Sequence, residues 1–145
     1  MRYWDTSALV PLIVDEPGTA IARTWLGEDP QVVTWGLTRL EIASAVERRA
    51  REGRITAAQR REVLARFESL AAAWGEVVDL LAVRARAIPL LARHTLRSAD
   101  AAQLGAAIVA SEADPASLAF ACLDRDLSRA AEREGFSVLT WPDAR

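Results

Sequence analysis

The sequence predicts a three-layer α/β/α sandwich around a central, mainly parallel sheet of four to five strands. Short runs rich in β-branched and aromatic residues alternate along the chain with longer segments of helical periodicity. Strands separated by helices favour parallel pairing, because each helix returns the chain to the same end of the sheet. Gly and Pro residues stand singly between these segments, and no repeat or linker interrupts residues 1–145, so we expect one domain.

The predicted strands and helices follow one another in a regular order. Strands are predicted at Arg2–Trp4, Val32–Thr34, Glu76–Val78, Leu118–Cys122 and Val138–Thr140. The clearest helix extends from Leu37 to about Arg51, where an apolar stripe opposes charged residues and Gly53 ends the pattern. A second long helix is predicted from Thr56, its N-cap, to near Trp74, with Gly75 as the stop. Further helices are expected at Leu81–Arg93, Ala99–Ser111 and Arg125–Glu134, the last closed by Gly135.

Cysteine usage and hydropathy exclude several classes of protein. Cys122 is the single cysteine, so no internal disulfide can form, and no cysteine–histidine pattern suggests zinc. The N-terminus carries Asp5 where a signal peptide needs apolar residues, and the apolar run Leu9–Val14 is too short to span a bilayer. We therefore expect a cytoplasmic protein without a membrane segment.

The charge balance does not by itself decide for or against a nucleic-acid partner. The formal net charge is −2, whereas phosphate backbones favour a basic surface. If four of the acids share one pocket, however, the rest of the chain is net positive. All 18 basic residues are arginine, whose planar donor geometry suits phosphate, although an arginine-rich, lysine-free composition also follows from a GC-rich coding sequence.

Four acids are candidates for a functional site, and each also has an ordinary structural explanation. Asp5 and Asp124 each follow a predicted strand and precede a helix, where aspartate is a good N-cap. Asp100 falls in the first turn of a helix, where the dipole favours negative charge and Arg97 is within reach. Glu41 lies mid-helix beside the apolar stripe, without a charged residue three or four positions away. It therefore either needs a cation from elsewhere or points to water at the edge of the stripe.

Each of these acids lies in a short motif, and the four motifs follow one another over nearly the whole chain. They are Tyr3–Leu9, Thr38–Ala45, Leu96–Leu104 and Phe120–Leu127, the last followed by Ala130-Ala131 and Gly135-Phe136. Together they resemble the PIN-domain family, in particular the VapC toxins of prokaryotic toxin–antitoxin pairs. Each motif is weak alone, and it is their order and spacing that make the resemblance specific.

The resemblance implies a ribonuclease whose four acids, Asp5, Glu41, Asp100 and Asp124, converge to bind Mg²⁺, with Mn²⁺ as a substitute. In this family, the residues that Asp5 and Asp100 match are the firmest metal ligands, and those that Glu41 and Asp124 match complete the pocket. It also implies RNA as substrate, a VapB-type antitoxin as partner and a homodimer. Two positions depart from the family pattern. Cys122 stands where Ser or Thr is usual, which we expect to remove a polar contact, and Gln103 stands where histidine is frequent, which we expect to be harmless.

The residues themselves fit this chemistry. Clustered carboxylates repel one another and raise their pKa values unless a cation neutralises them, and Mg²⁺ prefers oxygen ligands. Such a site can activate water to hydrolyse a phosphodiester, so RNA rather than DNA follows from the resemblance and not from the mechanism. A receiver-type domain is disfavoured because the chain lacks lysine, and a haloacid-dehalogenase-type phosphatase because Ser7 replaces its second aspartate. A PIN-like module that only binds RNA or protein, or a related DNA nuclease, remains the alternative.

Several other polar and aromatic residues carry weaker expectations. Thr6 is expected to cap the first helix, whereas Ser7 fits equally a cap or a contact with a carboxylate or phosphate. His94, the single histidine, is expected to be structural or on the surface. The five tryptophans are expected to be mainly core or partner contacts, with a base-stacking platform among them as the alternative. One basic stretch of the sequence is expected to be either a solvated face or a track for phosphates. It consists of Arg48, Arg49, Arg51, Arg54, Arg60 and Arg61.

Overall fold

The computed structural model describes residues 1–142, in which a five-stranded sheet forms the centre. Its strands are β1 (Arg2–Trp4), β2 (Val32–Trp35), β3 (Gly75–Val77), β4 (Ala119–Ala121) and β5 (Ser137–Val138). The strand order is β3-β2-β1-β4-β5, and every neighbouring pair is parallel. The predicted parallel α/β architecture is therefore confirmed, with strand boundaries that differ from the expected ones by at most two residues.

Seven α-helices connect these strands in residues 1–142. They are α1 (Thr6–Ile13), α2 (Thr19–Glu28), α3 (Thr38–Arg51), α4 (Ala57–Ala71), α5 (Leu80–Arg93), α6 (Ser98–Ala110) and α7 (Arg125–Arg133). A 3₁₀ turn at Pro115–Ser117 precedes β4. Thr56 caps α4 as predicted, because its side chain accepts from the Gln59 N–H and the Gln59 side chain accepts from the Thr56 N–H.

The helices cover both faces of the sheet and enclose two cores. Adjacent strand residues point to opposite faces, so Tyr3 and Trp4 of β1 enter different cores. Tyr3 packs with residues of α5, α6 and α7, whereas Trp4 packs with residues of α1 to α4. Both side chains are completely buried. This is the predicted three-layer arrangement, and it leaves the ends of the strands as the accessible edges of the sheet.

Two local expectations were wrong. Helix α4 ends at Ala71 and not near Trp74, because Trp74 leaves the helix to pack on Phe67, with ring centroids 6.0 Å apart, and donates its indole N–H to Glu76 over 2.8 Å. Gly75 therefore begins β3 instead of stopping the helix.

The sequence analysis does not predict helix α2. Gly18 occupies its N-cap position and has no side chain with which to cap the helix, and the hydroxyl of Thr19 donates to the carbonyl of Pro11 over 2.7 Å. The start signal that sequence reasoning depends on is consequently absent from this helix.

Candidate active site

The sheet order places two of the predicted acids on either side of a topological switch point. The chain builds the sheet outward from β1 toward β3 on one side and from β4 toward β5 on the other. In open parallel sheets, the crevice at such a point, outside the carboxyl ends of the strands, is the usual ligand site. Asp5 follows β1 directly and Asp124 follows β4 shortly after its end, so both acids emerge at this crevice.

Asp5 is buried and is held by Ser7. Its carboxylate caps α1 by accepting the Ser7 N–H over 3.1 Å, and it also accepts the Ser7 hydroxyl over 2.8 Å. The same hydroxyl oxygen accepts the backbone N–H groups of Leu123 and Asp124 over 2.8 and 3.1 Å. Ser7 therefore links the loop that follows β1 to the loop that follows β4. Of the two expectations for Ser7, a helix cap or a contact with a carboxylate or phosphate, the structure shows the contact with a carboxylate.

Glu41 lies in the first turn of α3 and not mid-helix as expected. No cation pairs with it among residues 1–142. Instead, its carboxylate accepts the Thr6 hydroxyl over 2.9 Å and the Gln103 amide nitrogen over 3.1 Å. The expectation that Thr6 caps the first helix was wrong, because Asp5 caps α1 and Thr6 binds Glu41.

Gln103 is the centre of a buried polar network that positions Glu41. Its amide oxygen accepts the hydroxyl of Tyr3 over 2.6 Å. Its amide nitrogen lies within hydrogen-bond distance of Thr6, Thr38 and Glu41, at 3.1, 2.9 and 3.1 Å. Because Tyr3 donates to the oxygen, the orientation of the Gln103 amide is fixed and its nitrogen must face the acid. Burial is the main reason that the pKa of Tyr3 lies well above its usual value, so this donor stays protonated.

Asp100 and Asp124 lie at two further helix starts. Asp100 is in the first turn of α6. Asp124 caps α7, accepting the Leu127 N–H over 2.8 Å. The expected positions of Asp100 in the first turn of a helix and of Asp124 at an N-cap are therefore confirmed. Either residue can hold such a position and still contribute its carboxylate to a site.

The electrostatics show that these acids share one environment. Burial raises the pKa of Asp5 to about 7, against the opposing hydrogen bonds from Ser7, and the charge of Asp124 adds to the rise. Burial also raises the pKa of Glu41, to which the charge of Asp100 contributes. The pKa of Asp100 is raised by burial and then by Asp124, while the backbone and charge of Arg97 oppose the rise. Three carboxyl groups are therefore easier to protonate than usual, as expected for like charges in a partly dry site.

All four acids line a single cavity of about 480 Å³, which we call the acid cleft. As the side chains stand, each of Asp5, Glu41 and Asp124 accepts hydrogen bonds from its own protein donors. No three His, Cys, Asp or Glu side chains within residues 1–142 form a ready-made metal-binding group. The fold brings the four acids to one cleft, whereas metal ligation by Asp5 and Asp100 stays a prediction.

The comparisons with known proteins agree with the fold and the motifs. The sequence profile described as the PIN domain matches residues 2–133. The chain belongs to the PIN-domain family. A curated relative, Ribonuclease VapC47 of Mycobacterium tuberculosis (strain CDC 1551 / Oshkosh), is 34% identical over 114 residues, which cover 74% of each protein. The resemblance to VapC proteins is thereby confirmed.

Solved structures extend this likeness to the backbone. A chain of a toxin–antitoxin complex from Klebsiella pneumoniae superposes with a TM-score of 0.64 over 97% of both chains, at 16% identity. PAE2754 from Pyrobaculum aerophilum superposes with a TM-score of 0.59 at 23% identity, over 90% of this chain and 79% of the other. At such identities the likeness concerns the fold, which is that of a PIN domain.

Two positions of this PIN domain depart from the family pattern. Cys122 does not leave the contact empty, since its thiol donates to the backbone carbonyl of Asp124 over 3.4 Å and lies 3.7 Å from the Ser7 hydroxyl. Burial keeps the pKa of this thiol well above its usual value, so it remains a neutral group beside Asp5. Gln103 is more than harmless, because it supplies the donor that orients Glu41.

The remaining predicted residues divide between structural and accessible roles. His94 contacts Glu134 over 2.7 Å and is nearly buried, which confirms its structural role. The tryptophans at positions 4, 25, 35 and 74 are buried in the cores. Trp141 is partly exposed and lines the acid cleft. Within residues 1–142, no helix is long and apolar enough to cross a membrane.

Proposed function

We propose that this PIN domain is a Mg²⁺-dependent endoribonuclease and the toxin of a type II toxin–antitoxin pair, inhibiting translation or growth when free of a VapB-type antitoxin. The observation that carries the proposal is the acid cleft at the switch point, lined by Asp5, Glu41, Asp100 and Asp124. The name of the curated relative, a ribonuclease, supports RNA as substrate. The toxin–antitoxin origin of the Klebsiella structure supports the class of partner.

The donor set of the acid cleft fits a hard divalent cation. All four candidate ligands are carboxylates, and oxygen ligands are those that Mg²⁺ and Mn²⁺ prefer. Burial and neighbouring acids raise the pKa values of Asp5, Glu41 and Asp100, so a cation in the cleft would favour their charged forms. We assign Asp5 and Asp100 as the metal ligands, with Glu41 and Asp124 completing the pocket. When bound, Mg²⁺ supplies Lewis acidity for the attack of water on a phosphodiester.

The protein's own contribution to this reaction is orientation. Ser7 fixes the carboxylate of Asp5, and Thr6 and Gln103 fix the carboxylate of Glu41. A fixed carboxylate needs little rearrangement when a cation and a phosphate enter, which is how a prearranged polar site lowers a reaction barrier. Because water is the attacking group, the 2′-hydroxyl of the substrate need not take part. The preference for RNA over DNA therefore rests on the family relationship.

The test is RNA cleavage by purified protein with Mg²⁺ or with EDTA. Asp5→Asn and Asp100→Asn each remove one proposed ligand, and we expect each to slow cleavage roughly 100-fold or more, since a bound metal supplies several kcal/mol of transition-state stabilisation. Asp114→Asn is the matched control, because Asp114 is exposed and precedes β4 at the opposite edge of the sheet. It should cleave like the wild type.

Three outcomes of this assay would change the proposal. Equal cleavage by the wild type and Asp5→Asn would eliminate the acid cleft as the active site. Undiminished cleavage in EDTA would eliminate the metal dependence. Faster cleavage of single-stranded DNA than of RNA in a parallel reaction would reassign the substrate.

The proposed biological role needs a cellular test. Expression of the wild type in a bacterial host should arrest growth, whereas Asp5→Asn should not. Co-expression of the reading frame that neighbours the gene should restore growth if it encodes the antitoxin. The proposed site of action is the cytoplasm, where the lone thiol of Cys122 stays reduced.

A homodimer is the further part of the proposal. An exposed apolar surface lies at the start of α3 and α5: Leu37 is 51% exposed, Val78 73% and Leu81 63%. Gly36 donates to the carbonyl of Val77, so the segments that precede α3 and α5 lie against each other. Large exposed apolar residues gathered in one region are typical of an interface. Sedimentation should show a dimer for the wild type and a monomer for Leu81→Arg; a wild-type monomer would refute the assignment.

A further inference from the structure

The acid cleft continues into a second cavity, so that a groove runs past the acids in both directions. The second cavity measures about 920 Å³. Residues that line both cavities mark the junction, and they include Glu41, Asp100 and Asp124. Of these two cavities, Trp141 lines the first and not the second, whereas Arg97 lines the second and not the first. The acids therefore lie between a tryptophan lobe, the part of the acid cleft beside Trp141, and an arginine lobe, the part of the second cavity beside Arg97.

Two arginines on this groove differ from their neighbours in forming no ion pair within residues 1–142, although the charge of Arg97 acts on the nearby Asp100. Arg39, Arg49 and Arg60 form ion pairs with Glu76, Glu16 and Glu47 respectively. Arg48 and Arg97 form no ion pair within residues 1–142, and both are exposed. Arg48 lines both cavities and Arg97 the arginine lobe. These guanidinium groups are available to an anion that enters the groove, and their geometry suits phosphate.

The tryptophan lobe offers a different surface. Val10, Pro11, Pro17 and Leu123 line the same cavity as Trp141, as do the ion-paired Glu16 and Arg49. Trp141 is also the tryptophan that the cores leave partly exposed in residues 1–142. A partly exposed indole beside apolar side chains provides a face on which an unpaired base can stack, whereas a base inside a duplex has no free face to offer.

From these observations we infer that the groove is a track for single-stranded RNA. Arg48 and Arg97 contact backbone phosphates, and Trp141 stacks on an unpaired base on the other side of the acids. The strand then crosses the acid cleft with one phosphodiester opposite Asp5 and Asp100. The choice of RNA as the strand rests on the proposed function. The continuity of the groove and the residues of its two lobes are observed independently of that function.

The experiment measures binding apart from cleavage. A labelled 12-nucleotide single-stranded RNA is titrated by fluorescence anisotropy in Mg²⁺, with every variant made in the Asp5→Asn background. Arg48→Gln and Arg97→Gln should each weaken binding several-fold and reduce the slope of log affinity against log salt by about 0.7, the value for one phosphate contact on a single strand. Trp141→Ala should weaken binding roughly 5-fold or more and leave the salt slope unchanged.

Matched controls separate these roles from general effects. Arg61→Gln removes an exposed arginine of α4 that lines neither lobe, and its binding should equal that of the background protein. Trp141→Phe should restore most of the binding that Trp141→Ala loses, and thermal unfolding checks that both variants fold. A duplex of the same sequence should bind without dependence on Trp141.

The outcomes distinguish the track from the activity. Unchanged binding in Trp141→Ala, or an equal loss in Arg61→Gln, would overturn the track. Unchanged RNA binding in all three groove variants would also overturn it and would leave a protein segment as the occupant to test. A wild type that cleaves nothing would refute the proposed function, while the same binding pattern would still support the groove.

Discussion

The buried carboxyl group of Asp5 makes the stability of the metal-free protein fall as the pH rises. Its pKa is raised from 3.8 to about 7 in the folded chain. A group whose pKa is higher in the folded than in the unfolded state stabilises the fold fully below its unfolded value, and this contribution is lost as the pH rises through the folded value. Between pH 5 and pH 7 the folded chain keeps a proton that the unfolded chain has released. At roughly 1.4 kcal/mol per pH unit, this loss amounts to about 3 kcal/mol.

The perturbation is Asp5→Asn, which removes the titrating group and keeps an N-cap side chain at the start of α1. We expect the free energy of unfolding of the wild type in EDTA to fall between pH 5 and pH 8 by about 3 kcal/mol more than that of the variant. The comparison uses the pH difference within each protein, because Glu41 and Asp100 remain in both and their own raised pKa values contribute similarly. Absolute differences between the two proteins would also include the cost of burying an amide.

The assay is urea unfolding followed by circular dichroism at pH 5 and pH 8, with Asp114→Asn as the control of equal charge change. Mg²⁺ adds a second measurement at pH 8. A ligand that binds the folded state at 100 times its Kd stabilises it by about 2.7 kcal/mol, and we expect this gain in the wild type and its loss in the variant. An identical pH dependence in the two proteins would refute the burial argument. An identical response to Mg²⁺ would refute the role of Asp5 as ligand.

Three further predictions concern the frame around the site. Gln103→Leu leaves the buried hydroxyl of Tyr3 without its acceptor and should lower the free energy of unfolding in urea by about 1–3 kcal/mol, whereas a loss within experimental error would show that the network is dispensable. Gly105→Ala should lower it by about 1–3 kcal/mol, because the added Cβ would meet the backbone of α5 at 2.9 Å; a stabilised variant would contradict the close packing of α5 on α6. Thr56→Ala should cost about 1 kcal/mol in the same measurement through loss of the α4 cap, and Thr56→Ser should recover it.

Periodicity and spacing are enough to predict the elements that carry the acids. The strands before Asp5 and Asp124 and the helices that contain Glu41 and Asp100 lie where the sequence indicates them, because apolar alternation and helical stripes report burial directly. Elements without such signals are missed. Helix α2 has Gly18 as its N-cap and therefore no side-chain cap, and the end of α4 is set by the packing of Trp74 and not by the following glycine.

The contacts that orient the acids lie beyond local sequence reasoning. Gln103 reaches Thr6 across 97 positions of the chain and Glu41 across 62. The residues around a helical glutamine do not indicate that its side chain will donate to a distant carboxylate. A threonine beside a helix start is predicted to be an N-cap. Only the folded arrangement shows that Thr6 and Gln103 act on the same acid. The four acids can therefore be named from motifs, whereas the groups that hold them cannot.

The holding groups also explain how the cleft keeps its shape while its acids repel one another. Ser7 accepts two backbone N–H groups from the loop after β4 and donates to Asp5 after β1, so its hydroxyl links the two sides of the switch point. Gln103 couples Glu41 to Tyr3, which is completely buried at the sheet centre. A satisfied buried network of this kind resists rearrangement, because breaking one bond strands a polar group away from water. Hydrogen bonds to Ser7, Thr6 and Gln103 thus oppose the repulsion among the carboxylates. A cation that enters the acid cleft therefore meets carboxylates that are already held in place.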